Sequence, residues 1–166
     1  MNLFIRNLVF SVVVPGLGGG YVPWLILSKN GRLARPTEWY PMLLVAGGLA
    51  LYICCVWVFG SKGRGTPGIW DPPRHVVTVG PYRWVRNPIY VGALVIISGE
   101  AWMYSSVDLL IYVGSLAVAF HLLVIIYEEP RLRRHFGEEY KSYCRVVSRW
   151  VPRRVSAGQV NGTGRT

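Results

Sequence analysis

Cysteine is scarce in this sequence, with three in 166 residues. Cys54 and Cys55 are neighbours inside an apolar run and Cys144 stands far along the chain in a charged segment. Neither a disulfide framework nor a metal-ligating spacing results, and no metal is expected. Charge is scarce too, at 16% of residues, and it leans to one sign, with 18 Lys and Arg against 8 Asp and Glu. No internal repeat is evident. Low charge, a hydrophobic fraction of 52% and a positive mean hydropathy argue against an ordinary soluble chain. They favour an all-α integral membrane protein with a single domain over residues 1–155 and a small, polar, flexible tail over 156–166. A net charge of +10 is also compatible with nucleic acid. Here, however, the basic residues cluster between and after apolar runs, as they do where cytoplasmic membrane flanks meet anionic lipid. A nucleic-acid partner is therefore set aside.

Four apolar runs are present. The first, Leu8 to Leu27, has the length a bilayer needs but is interrupted by Pro15, Gly16, Gly18 to Gly20 and Pro23, so a kinked or split span is expected. A signal peptide is the competing reading. Against it, apolar character resumes through Trp24 to Leu27 and no A-x-A-like cleavage site occurs. Tyr40 to Phe59 is the second run, with Gly47 and Gly48 placed where a neighbouring helix can approach closely. Pro88 to Tyr104 and Val107 to Tyr127 are the third and fourth, and only Ser105 and Ser106 separate them, so they form an antiparallel hairpin. A last amphipathic helix is expected over Arg131 to Trp150. Leu132, Phe136, Tyr140, Tyr143, Val147 and Trp150 share one arc of it, laid on the membrane surface, and Gly137 is a point of bending.

Four spans place the N-terminus, the polar Gly60 to Asn87 connection and the last helix on one side. The basic character of the connection and the helix makes that side cytoplasmic, in the cell (inner) membrane. The Ser28 to Glu38 connection is also basic and then lies outside, a conflict that a re-entrant first segment would remove.

Candidate chemistry concentrates at the cytoplasmic mouth of the hairpin. Gly80 to Gly92, GPYRWVRNPIYVG, is a rigid, basic and aromatic approach to a helix that Pro88 begins. It is either a headgroup-level anchor or one wall of a site. Glu128 and Glu129 close the fourth span, either as an ion-pair cluster with nearby arginines or as acceptors for ligand hydroxyls or a cationic ligand. Gly63 and Gly65 lie in the long connection, as linker glycines or as a close backbone approach to a ligand. Glu100, within the third span, is either a helix-packing group or a proton-handling one. His121 is read as a satisfied interior histidine.

At these residues the chain resembles the isoprenylcysteine carboxyl methyltransferase and phospholipid methyltransferase superfamily of integral membrane enzymes. The resemblance lies in GPYRWVRNPIYVG and in EEPRLRRHFGEEYKSYCRVVSRWVP, Glu128 to Pro152, and spans Gly63 to Pro152. It implies S-adenosylmethionine-dependent methyl transfer to a lipid-like substrate, an isoprenylcysteine carboxylate or a phospholipid headgroup amine. The family's Gly-x-Gly and Glu-Glu cofactor motifs match Gly63, Gly65, Glu128 and Glu129. Its Arg-His-Pro-x-Tyr motif matches Arg86, Pro88 and Tyr90, with Asn87 in place of the histidine. The implied cofactor-binding set is Gly63, Gly65, Pro81, Tyr82, Arg83, Arg86, Asn87, Tyr90, Glu128 and Glu129, and the implied catalytic set is Arg86, Asn87, Tyr90 and Glu100. Arg86 or Arg83 would pair with the cofactor's carboxylate. A sterol-type membrane reductase using NADPH carries a related motif, but Ile89 and Ala93 depart from it. A non-catalytic membrane scaffold is the third reading.

Overall fold

The computed structural model describes residues 15–31, 36–58, 61 and 76–152. Among these the regular structure is helical, apart from one isolated bridge between Val85 and Ser148. A π turn, Leu17–Tyr21, leads into α1, Val22–Lys29. Then come α2, Met42–Val58, and α3, Pro88–Met103, preceded by a 3-10 turn at Gly80–Arg83. α4, Val107–Leu123, passes through a second π turn, Val124–Glu128, into α5, Glu129–Phe136, and α6, Glu138–Val146, follows. The proposed tail and the Gly63–Gly65 motif lie outside the described residues.

Pro88 occupies the first turn of α3, where its missing N–H costs nothing. The α3–α4 hairpin turns at Ser105, with φ 45°, and Ser106 caps α4 by accepting from the Leu109 N–H at 3.4 Å. α2 packs along α3 almost backbone to backbone. A Cβ on Gly48 would stand 2.8 Å from Ile96 Cγ1 and 2.9 Å from the Gly92 carbonyl, while Gly47 faces open space. Only Gly48 thus serves the close approach expected of the pair.

Val107–Phe136 forms one continuous 30-residue helix, long and apolar enough to cross a membrane. α2 and α3, with 17 and 16 residues, are shorter apolar helices. At about 1.5 Å per residue the long helix measures about 45 Å. A hydrocarbon core of about 30 Å would take roughly Val107 to Tyr127, with the remaining turns projecting beyond it.

That continuity corrects the expected start of the last helix. Pro130 does not begin a separate surface helix, because the π turn before it rearranges the carbonyl ladder that a proline ring would otherwise strike. The actual break is Gly137, at φ 55° and ψ −123°, a conformation that L side chains avoid. α6 ends at Val146, and Val147 to Trp150 run back beside Val85.

The elements alternate in direction. Asn30 donates to Asp108 at 2.7 Å and the Thr37 N–H to the Met103 carbonyl at 2.8 Å, so the end of α1 and the approach to α2 lie at the hairpin-turn end. Gly80 lies against Val58, and α3 begins, at the opposite end. Glu128 and Glu129 arrive at that same end.

Candidate functional site

Each part of the site is positioned by its local chain. Tyr82 is buried under the 3-10 turn, and its carbonyl accepts from the Tyr143 hydroxyl at 2.6 Å, which ties α6 to the turn. The Arg86 N–H donates to the Ser148 carbonyl at 2.9 Å. Asn87 stands at the N-cap of α3 without capping it. Its side chain instead donates to the Arg149 carbonyl at 3.2 Å. The segment after α6 is thereby fastened over the start of α3.

Glu129 is the electrostatic centre, with a side chain 7% exposed. Arg149 grips its carboxylate with two bonds, Nε to Oε1 at 2.7 Å and Nη2 to Oε2 at 3.0 Å. Arg86 Nη1 stands 3.0 Å from Oε1, and Arg133 Nη2 lies 3.8 Å from Oε2. Burial alone would raise the Glu129 carboxyl, but the Arg149 hydrogen bonds and the charges of Arg86, Arg149 and Arg133 hold it below the usual carboxylate range. Three guanidiniums around one carboxylate leave a local excess of positive charge. Arg86 Nη1 also donates to Cys144 Sγ at 2.7 Å, while its buried Nε has no hydrogen-bond partner among the described residues.

Glu128 is pushed the other way. Burial raises its carboxyl despite the hydrogen bond from the Tyr90 hydroxyl, and the neighbouring Glu129 charge adds to the rise. Tyr90 itself stacks on Phe120, with centroids 4.6 Å apart, and the Trp150 ring lies 6.4 Å away. Burial also raises the Tyr82, Tyr140 and Tyr143 hydroxyls, so they remain neutral donors at physiological pH.

Tyr82, Arg86, Asn87, Glu128 and Glu129 line one cavity of about 70 Å³, together with Val76, Val77, Val124, Leu132, Phe136, Tyr140 and Tyr143. Much of the aromatic arc expected to face the bilayer therefore covers this cavity instead.

Other expected site residues are placed elsewhere. Arg83 is exposed, its guanidinium 5.3 Å over the Trp84 ring, and neither it nor Pro81 lines the cavity. Glu100 is ten residues beyond Tyr90 on α3, about 15 Å along the helix, near the hairpin-turn end. His121 is exposed rather than interior and accepts at Nδ1 from Trp150 Nε1 at 3.0 Å. Among the described residues no group of acidic, His and Cys side chains is arranged to hold a metal. Arg149, Tyr140 and Cys144 are members of the site that the periodicity of a single long helix conceals.

The described residues thus combine helical architecture, one helix long and apolar enough to cross a membrane, and a buried carboxylate–arginine cluster at the end of the hairpin. Residues 37–139, well over half of the chain, match the family described as phospholipid methyltransferase. The chain belongs to that family, within the superfamily that also contains the isoprenylcysteine carboxyl methyltransferases. Comparison with curated proteins and with solved structures returns no match. Membership makes the chain a membrane methyltransferase of lipid-like substrates.

Proposed function

We propose that this protein transfers a methyl group from S-adenosylmethionine to a lipid-borne nucleophile, at the cytoplasmic end of a four-span bundle in the inner membrane. α2, α3 and the helix from Val107 would be three of the spans, and the segment containing α1 the other. One domain, residues 1–155, would carry the activity. The observation that supports this most is the placement of Arg86, Glu128 and Glu129 on the walls of one cavity, with Tyr90 bonded to Glu128 and Arg149 to Glu129 from behind those walls.

The donor set suits the cofactor's charged end. Arg86 has a buried Nε without a partner among the described residues, inside a cluster with positive charge in excess, and that combination suits a ligand carboxylate. Glu128 is the carboxyl left to face ribose hydroxyls or a cationic group. A cavity of about 70 Å³ is well below the roughly 300 Å³ of a drug-sized ligand, so the described residues form the walls for one end of the cofactor.

When bound, S-adenosylmethionine supplies a methyl group activated by a sulfonium. The protein's own work is alignment and exclusion of water. Glu129 holds Arg86 and Arg149 in place and is itself too fully engaged to be a ligand acceptor. Tyr82, Asn87 and Tyr90 frame the acceptor side. Leu132, Phe136 and Tyr140 close the cavity toward α5 and α6. A carboxylate acceptor is ionised at neutral pH and requires no base, whereas a headgroup amine must lose a proton. Glu128 is the carboxyl beside Tyr90 and is suited to accept that proton. Glu100 stands too far from Tyr90 to share in this step.

The test is incubation of membranes containing the protein with methyl-labelled S-adenosylmethionine and total membrane lipid. Label should enter a lipid with the wild type and fall at least about tenfold with Glu128→Gln, the lower range of an acid–base contribution being larger still. Absence of label with the wild type would contradict the reading.

A further inference from the structure

The outward face of the long helix carries a second groove that the reaction site does not use. Ile126, Tyr127, Pro130, Arg131, Arg134 and His135 line it, and its volume is about 480 Å³. No carboxylate is among these residues. The two acids at this level, Glu128 and Glu129, are turned away to Tyr90 and to the Arg86–Arg149 cluster. Arg131 Nη1 donates to the Tyr127 hydroxyl at 3.3 Å, and its guanidinium lies 5.9 Å over the same ring, so this guanidinium is held at a fixed height on the helix.

That height is informative. With Val107 to Tyr127 filling the hydrocarbon thickness, Ile126 and Tyr127 lie at its edge, and the two guanidiniums and the imidazole reach into the headgroup layer. Ile126 is 70% exposed, and Val118 and Leu122 below it are exposed as well, continuing an apolar surface that an acyl chain can follow. A phosphate above an acyl chain complements this order of groups. The geometry points to a binding site for an anionic phospholipid on this face, with the phosphate against Arg131, Arg134 and His135 and a chain along Ile126 and Leu122. The site is separate from the cavity at Glu128 and does not depend on which acceptor is methylated.

The detergent-purified full-length protein can be titrated with phosphatidylglycerol, phosphatidylcholine or inorganic phosphate, with lipid-bound states counted by native mass spectrometry. Phosphatidylglycerol should add in a saturable one-to-one step and phosphatidylcholine should not. Arg131→Gln combined with Arg134→Gln should weaken the lipid step about thirtyfold, the loss expected from two basic groups at an anionic surface. Lys141→Gln combined with Arg145→Gln removes the same charge elsewhere and should leave the step intact. Equal binding of the two lipids, equal loss in both double variants, or full competition by millimolar inorganic phosphate would each overturn the assignment. The comparison of ligands on the wild type stands even where a variant does not fold.

Discussion

Replacing Glu129 with Gln tests the cluster at its centre. The substitution keeps the shape and removes the charge that Arg86, Arg149 and Arg133 share. Arg86 is the costly partner, since its side chain is 11% exposed and loses its close counter-charge. Arg149, at 30%, is partly hydrated, and Arg133, at 51%, is largely compensated by water. Breaking a buried pair by removing one partner costs about 3–5 kcal/mol, and partial exposure of two of the three arginines favours the lower end, about 3 kcal/mol. For a chain of this size that corresponds to a fall in Tm of about 6–12 °C. Thermal unfolding in detergent, with Glu128→Gln measured alongside, is the assay. Glu128 has a raised carboxyl and lies outside the arginine cluster, so its variant should unfold within about 1 kcal/mol of the wild type. If Glu129→Gln lost less than about 1 kcal/mol, or no more than Glu128→Gln, the cluster would not be the clamp described.

Three further outcomes follow from the same structure. Gly48→Ala places a methyl group against the Gly92 carbonyl and Ile96, and should cost about 1–3 kcal/mol in thermal unfolding, while Gly47→Ala, facing open space, should be close to neutral. Because the folded Glu129 carboxyl lies below its unfolded value, the stability it contributes is present above about pH 4.3 and is lost as pH falls through the folded value. Unfolding followed from pH 7 to pH 3 should show that loss in the wild type and not in Glu129→Gln, and Glu128, shifted the opposite way, should not produce it. Trp150→Phe removes the donor to His121 and should cost about 1 kcal/mol by the same measurement.

Hydropathy and proline chemistry made the apolar helices legible. The Ser105–Ser106 turn, the start of α3 at Pro88 and the apolar helix from Met42 to Val58 are all local consequences of residue type. The last helix was harder, because Glu128-Glu129-Pro130 reads as a stop unless the preceding π turn is known, and π turns leave no sequence mark. The arc from Leu132 to Tyr143 is a real face, but periodicity cannot say whether lipid or protein covers it, and here the protein's own cavity does. Arg149 reads as part of a helix's polar side only if the helix continues past Val146. Once the chain turns back beside Val85, the same residue reaches Glu129 from the opposite direction. Arg86, Asn87, Tyr90, Glu128 and Glu129 are gathered at one end of the bundle by the hairpin alone. Their partners came from tertiary contacts between residues about 20 to 60 positions apart, which no local pattern encodes.

A cofactor site at Arg86 and Glu128 can be measured by binding to the purified protein. Calorimetry should show saturable binding of S-adenosylmethionine to the wild type, at least about tenfold weaker binding to Arg86→Gln and Glu128→Gln, and none of NADPH. Binding of NADPH in place of S-adenosylmethionine, or S-adenosylmethionine binding unchanged in both variants, would rule out that site.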